Sequence, residues 1–155
     1  MVKKLIWISE KNITLTCTCN TQFLKLSSML QNQLLFLVDD DIDDHEIFKS
    51  ALAKVDEDLS LITATNGYEA LEALSAADTL PDYIFVDLNM PRMGGLQFLK
   101  EIKQTETLKD IPVIIYTTSS NPSDIAKTKE LGAVSFVTKP SRFSELCSFL
   151  QTLVS

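Results

Sequence analysis

The chain has 155 residues, 45% of them hydrophobic and 23% charged, and a net charge of −7. That length sets one domain, with enough apolar residues for a sizeable core. The acidic balance argues against direct contact with nucleic acid or an anionic membrane surface, and no apolar run approaches the ~20 residues of a membrane-spanning helix.

Residues 1–33 differ in character from the rest of the chain. Lys3, Lys4, Lys11 and Lys25 oppose only Glu10 there, so the acidic excess lies entirely in the remainder. Lys3-Lys4 followed by Leu5-Ile6-Trp7-Ile8 opens like a signal peptide, but the apolar part stops at Ser9-Glu10-Lys11. That is too short for an h-region, and the protein is expected in the cytoplasm. Ile13, Leu15, Cys17 and Cys19 alternate with polar residues in the pattern of a strand. Phe23, Leu26 and Leu30 fit a short amphipathic turn. Met29 stands five residues before the first regular strand, so two readings stay open: an N-terminal extension, or a true start at Met29. No function is assigned to this segment. Cys17 and Cys19 have neither a neighbouring His nor a second Cys pair, and read as small residues in a β-like stretch rather than a metal site.

From Leu34 the pattern becomes regular. Leu34–Val38 is an unbroken apolar run that ends in Asp39-Asp40-Asp41, the signature of a strand buried on both faces. Ile47, Phe48, Ala51, Leu52 and Val55 form a helical stripe. Leu59–Ala64 is a second strand. Asn66, with Glu69 three residues on, has capping-box spacing and opens a helix whose apolar face is Ala70, Leu71 and Leu74. Tyr83–Val86 is the third strand and runs straight into Asp87; Met90-Pro91 then turns the chain. Gly94-Gly95 leads into a helix marked by Leu96, Leu99 and Ile102. Val113–Tyr116 is a fourth strand, followed by Thr117-Thr118. Asn121-Pro122 starts a helix that Gly132 ends. Ser135–Thr138 is a fifth strand, followed by Lys139-Pro140. Phe143, Leu146, Phe149, Leu150 and Leu153 give the last helix its apolar face, with Cys147 expected to pack beside them. Strands alternating with helices predict parallel βαβ units with right-handed crossovers, a doubly wound α/β sandwich.

In a parallel sheet the C-terminal strand ends share one edge. Asp39-Asp40, Asp87, Thr117 and Lys139 all stand at such ends, so they can converge where open α/β sheets place their sites. Clustered carboxylates repel one another unless a counter-charge is present. Mg²⁺ suits a site of one or two carboxylates, a carbonyl, waters and a phosphate oxygen. A hydroxyl and an ammonium facing the carboxylates complete a clamp for a phosphoryl group.

The set Asp39-Asp40, Asp87 with Met90-Pro91, Thr117 and Lys139-Pro140 resembles the receiver domain of two-component response regulators, over residues 34–155. The resemblance implies a flavodoxin-like strand order 2-1-3-4-5 with helices on both faces. It also implies that Asp87 takes a phosphoryl group from the phosphohistidine of a histidine kinase or phosphotransfer protein. Asp40 and Asp87 match the carboxylate ligands of Mg²⁺, Asn89 the residue whose backbone carbonyl joins them, and Asp39 the acid that holds metal-bound water. Thr117 matches the hydroxyl that bonds the attached phosphoryl group. Lys139 matches the lysine of the acidic pocket, and Lys139–Pro140 a peptide bond that is usually cis. Phe136 matches the switch aromatic. The family implies partner contacts on the face of the fourth helix, fifth strand and fifth helix. Because the chain stops just after that helix, it is expected to be a stand-alone switch rather than an enzyme, acting by partner binding or phosphoryl relay.

Thr118 is bulkier than the residue usual at its position, and Ser119 and Asn89 occupy positions that tune phosphoryl lifetime in the family. Phe136 lacks a tyrosine hydroxyl, so its switching must work by packing. Asp41, Asp43 and Asp44 are expected to be solvated charges at a helix N-terminus, and His45 an exposed helix residue. Lys127, Lys129 and Arg142 are expected to be solvated, with a place on the partner face as the alternative. Two rival functions remain. A Mg²⁺-dependent phosphohydrolase with an aspartyl nucleophile would carry a second Asp where Asn89 stands. A phosphorylation-independent binding module would have lost one of the pocket groups.

Overall fold

The computed structural model describes residues 33–155. The proposed strand, turn, cysteine pair and start site within residues 1–32 lie outside it. Among the described residues five strands alternate with five helices: β1 (Leu34–Val38), α1 (Ile42–Val55), β2 (Ser60–Ala64), α2 (Gly67–Ala76), β3 (Tyr83–Val86), α3 (Gly95–Gln104), β4 (Val113–Thr117), α4 (Pro122–Glu130), β5 (Ser135–Thr138) and α5 (Phe143–Val154). All strand pairs are parallel, in the order β2-β1-β3-β4-β5.

The unbroken apolar strands are explained by two cores. Successive side chains on a strand point to opposite faces. Phe36, Val38, Ile84, Val86 and Ile115 pack against Ala70 and Leu74 of α2 and Phe98, Leu99 and Ile102 of α3. Leu35, Leu37, Phe85, Ile114 and Tyr116 pack against Phe48, Ala51 and Leu52 of α1 and Leu146 and Leu150 of α5. Phe48, Phe85 and Tyr116 meet edge to face, with centroids 4.9 to 6.3 Å apart. Each buried apolar side chain of this size contributes roughly 1.5–3 kcal/mol.

The helix boundaries follow capping chemistry. Asp41 caps α1 by accepting from the Asp43 amide. Asn66 accepts from the Tyr68 and Glu69 amides at the start of α2, while Glu69 reaches back to Thr65. Asn121 caps α4, with Pro122 in the first turn. Gly132 takes φ 93°, the left-handed conformation that ends a helix at low steric cost.

Several expectations need correction. α1 begins at Ile42, five residues before the predicted stripe, and β2 is one residue shorter than predicted. Ile47 and Phe143 are exposed rather than core residues. The Phe143 ring instead carries the Lys54 ammonium 5.7 Å from its centroid. His45 is buried, with only 7% of its surface exposed. The Lys139–Pro140 bond is trans, as is every peptide bond among the described residues. For a residue before proline the two isomers differ by only about 0.5–1 kcal/mol, so a Lys-Pro step does not by itself select one.

Candidate functional site

Strand register builds the site. Val38 lies opposite Val86, and the Asp87 amide donates to the Val38 carbonyl at 2.9 Å. Asp39 and Asp87 therefore leave the sheet side by side. Thr117 lies opposite Thr138, and the Lys139 amide donates to the Thr117 carbonyl at 2.8 Å. These groups are brought together by parallel pairing alone.

The loop after β3 fixes Asp87. The Asn89 amide donates to Asp87 Oδ1 at 3.2 Å. Arg92 adopts φ 67°, which is uncommon outside glycine. Gly95 packs its backbone onto Asp87 so closely that a Cβ there would fall 2.2 Å from the Asp87 carbonyl oxygen. The start of α3 thus rests on the main chain of the site.

Lys139 is the electrostatic centre. Its Nζ lies 2.6 Å from Asp39 Oδ2, 2.6 Å from Asp44 Oδ2 and 3.2 Å from Asp87 Oδ2. The contacts to Asp44 and Asp87 are hydrogen bonds. Asp39 Oδ2 is a close ion-pair contact but lacks a directed hydrogen bond, although the residue is fully buried. Burial raises the Asp39 pKa, and the adjacent Lys139 ammonium and the hydrogen bond from the Asp41 amide only partly offset that. Burial alone would lower the Lys139 pKa, but the close carboxylates of Asp39 and Asp44 and the charge of Asp87 raise it instead. Beneath the ammonium, Tyr116 presents its ring at 5.7 Å. Its hydroxyl is pushed upward by burial and then by the charge of Asp44.

Asp39, Asp40 and Asp87 each offer a carboxylate oxygen within 4.8 Å of the others. An all-oxygen set with a buried, under-bonded carboxylate fits a hard divalent cation.

Of the predicted residues, Asp39, Asp87 and Thr117 are buried, Lys139 is half-buried, and Asp40 and Asn89 are exposed at the rim. The Thr117 hydroxyl accepts from the Ser119 amide at 3.3 Å, and Ser119 in turn donates to Asp124 of α4. Phe136 is packed inward with 4% exposed. Thr118 faces solvent. Cys147 packs against the core shared by α1 and α5. Lys127, Lys129 and Arg142 are exposed.

Two participants escape sequence reasoning. Asp44, expected to be a solvated charge, bonds Lys139, 95 residues away. His45, expected to be exposed, pairs its Nε2 with the Asp39 carbonyl at 2.7 Å. His45 stands three residues before Phe48 and seven before Leu52, so the helical stripe does carry its burial. For Asp44 there is no such signal, because it sits within a run of similar acids.

The sequence profile of the response regulator receiver domain matches residues 35–151. The sensor histidine kinase CheAY of Helicobacter pylori is 32% identical over 129 residues, a match covering 83% of this chain but only 16% of CheAY. The response regulator Rcp1 of Synechocystis is 31% identical over 128 residues, covering 79% of this chain and 87% of Rcp1. Among solved structures, the phosphorylated cyanobacterial phytochrome response regulator RcpA aligns with a TM-score of 0.73 at 33% identity, covering 79% of this chain and 91% of RcpA. The Mn²⁺-bound form of Rcp1 aligns with a TM-score of 0.69 at 31% identity, covering 78% and 91%.

Proposed function

Because the chain belongs to the receiver-domain family of response regulators, we propose that Asp87 accepts a phosphoryl group in two-component signalling and that its modification switches partner binding. The observation that carries this reading is the Lys139 ammonium seated among Asp39, Asp44 and Asp87 at the C-terminal edge of the sheet.

The donor is the phosphohistidine of a histidine kinase or phosphotransfer protein. Its P–N bond breaks as a P–O bond forms to the Asp87 carboxylate, and the electron pair returns to the donor imidazole. The transition state is loose and in line, so positioning and charge neutralisation dominate. Asn89 orients the nucleophile through its amide. Lys139 answers the charge that develops on the transferred oxygens. The Thr117 hydroxyl, which accepts from the Ser119 amide and keeps its own O–H to donate, bonds the attached group.

Asp40 and Asp87 are the proposed carboxylate ligands of Mg²⁺, with the Asn89 carbonyl as a third ligand and Asp39 holding its water. The fit rests on the all-oxygen donors and the under-bonded Asp39 Oδ2. When bound, Mg²⁺ supplies the charge that lets an anionic nucleophile and an anionic donor approach.

Output runs through the face of α4, β5 and α5, where Phe136 adjusts its packing as Thr117 moves. The same face exposes Val134, Lys127, Lys129 and Arg142.

Intact-mass measurement after incubation with a small phosphodonor and Mg²⁺, and then with a panel of histidine kinases, tests the proposal. Wild type should gain about 80 Da, the mass of one phosphoryl group, only with the cation, and Asp87→Asn should gain nothing. Absence of the adduct with every donor would sink the phosphoacceptor role and leave a fold used for binding alone.

A further inference from the structure

We infer that Asp44 is a positioning residue that competes with the phosphoryl group for the Lys139 ammonium and so biases the site toward its unmodified state. The inference rests on Asp87 being the phosphoacceptor. Lys139 Nζ donates to Asp44 Oδ2 at 2.6 Å, a shorter bond than the 3.2 Å one to Asp87. An ammonium has three N–H groups to share, and one of them is directed at Asp44. Asp39 Oδ2 lies equally close but receives no directed hydrogen bond, and it is fully buried without another hydrogen-bond partner. Lys139 is therefore held from α1 as well as by the carboxylates at the strand ends.

Asp44 is held in place. Asp41 caps the first turn of α1 by accepting from the Asp43 amide at 2.9 Å. One residue further along, the His45 ring pairs with the Asp39 carbonyl at 2.7 Å. The cap orders the turn that carries Asp44, and the His45 tie docks it against Asp39 at the end of β1. The Tyr116 ring centroid lies 5.7 Å from the ammonium. A phosphoryl group on Asp87 adds about 1.5–2 negative charges beside Lys139. To meet them the ammonium must leave or share Asp44.

The test is a titration with fluoroberyllate, an anion of phosphoryl shape, in the presence of Mg²⁺, with bound fluorine read by ¹⁹F NMR. Asp44→Asn should bind it roughly three- to tenfold tighter than wild type, a part of what one charge-assisted hydrogen bond can contribute. Asp43→Asn removes the same charge from the neighbouring exposed position and should tighten binding far less. In a Lys139→Met background the Asp44→Asn effect should vanish, which identifies coupling between the two side chains. Unchanged or weaker binding by Asp44→Asn overturns the inference. Equal tightening by Asp43→Asn, or tightening that survives Lys139→Met, overturns it as well. Asp44→Ala replaces Asp44→Asn if the latter does not fold. No binding by wild type would instead overturn the phosphoacceptor reading, and the competition with it.

Discussion

Asp39 is held in an environment that works against its charge. It is fully buried, and its pKa lies above the ordinary 3.8, chiefly through desolvation. The folded chain thus holds that proton more firmly than the unfolded chain does. By linkage, the stability this group contributes falls as pH rises from 3.8 through its raised folded value, and the ionised residue opposes folding at neutral pH. In the absence of a divalent cation, Asp39→Asn should stabilise the chain at pH 7 by about 1–3 kcal/mol. The gain should shrink as the pH is lowered toward 3.8. Urea unfolding at several pH values checks this, and a variant less stable than wild type at pH 7 would refute it. Lys139 behaves in the opposite sense. Its raised pKa means that its stabilising contribution is complete below the ordinary 10.5 and is lost only at higher pH. One lysine therefore does not remove the cost of Asp39, which is a reason to expect a cation at the site.

At the scale of elements, α3 bears on the site through its first residue. Gly95 has no room for a side chain, because a Cβ would meet the Asp87 carbonyl oxygen at 2.2 Å and the Asp87 carbonyl carbon and Leu88 Cα at 2.9 Å. All three contacts are backbone, so they cannot rotate away. Gly95→Ala should destabilise the fold by about 2–4 kcal/mol through overpacking and displace Asp87, so that phosphoryl uptake falls even in samples that remain folded. Gly132 serves as the control. It has φ 93° and open contacts no closer than 3.7 Å, so Gly132→Ala should cost only about 1–2 kcal/mol of backbone strain and leave uptake intact. Chemical denaturation together with intact mass separates the two, and equal uptake by Gly95→Ala and wild type would refute the packing argument. α1 bears on the site differently, through Asp44 and His45 in its first turn, while its Phe48, Ala51 and Leu52 anchor it to the sheet.

For the whole molecule, cation binding and folding are linked. A ligand that binds only the folded chain, present at about 100 times its dissociation constant, stabilises it by about 2.7 kcal/mol. Mg²⁺ should therefore raise the melting temperature by several degrees, and Asp40→Asn should abolish the rise; a wild-type melt indifferent to Mg²⁺ would remove the cation from the site. The sequence by itself determined the α/β class, the alternation of five strands with five helices, and the identity of the groups at the strand ends. It could do so because unbroken apolar runs, caps and turn residues act within a few positions of one another. Asp39, Asp87, Thr117 and Lys139 were legible for the same reason, since each stands at or directly after the end of an apolar strand run. Contacts beyond local pattern were decided by tertiary structure. Ile47 and Phe143 fit an apolar helical face in sequence, but the helices rotate them into solvent. The choice of Lys139 for Asp44, among several neighbouring acids, depends on where α1 docks against the end of β5, 95 residues away. The burial of His45 was written in the helical period, but its bond to the Asp39 carbonyl was not. Local chemistry names the elements and their ends; only packing fixes which side chains from distant elements come within hydrogen-bonding distance, because that distance is set by the docking of whole elements.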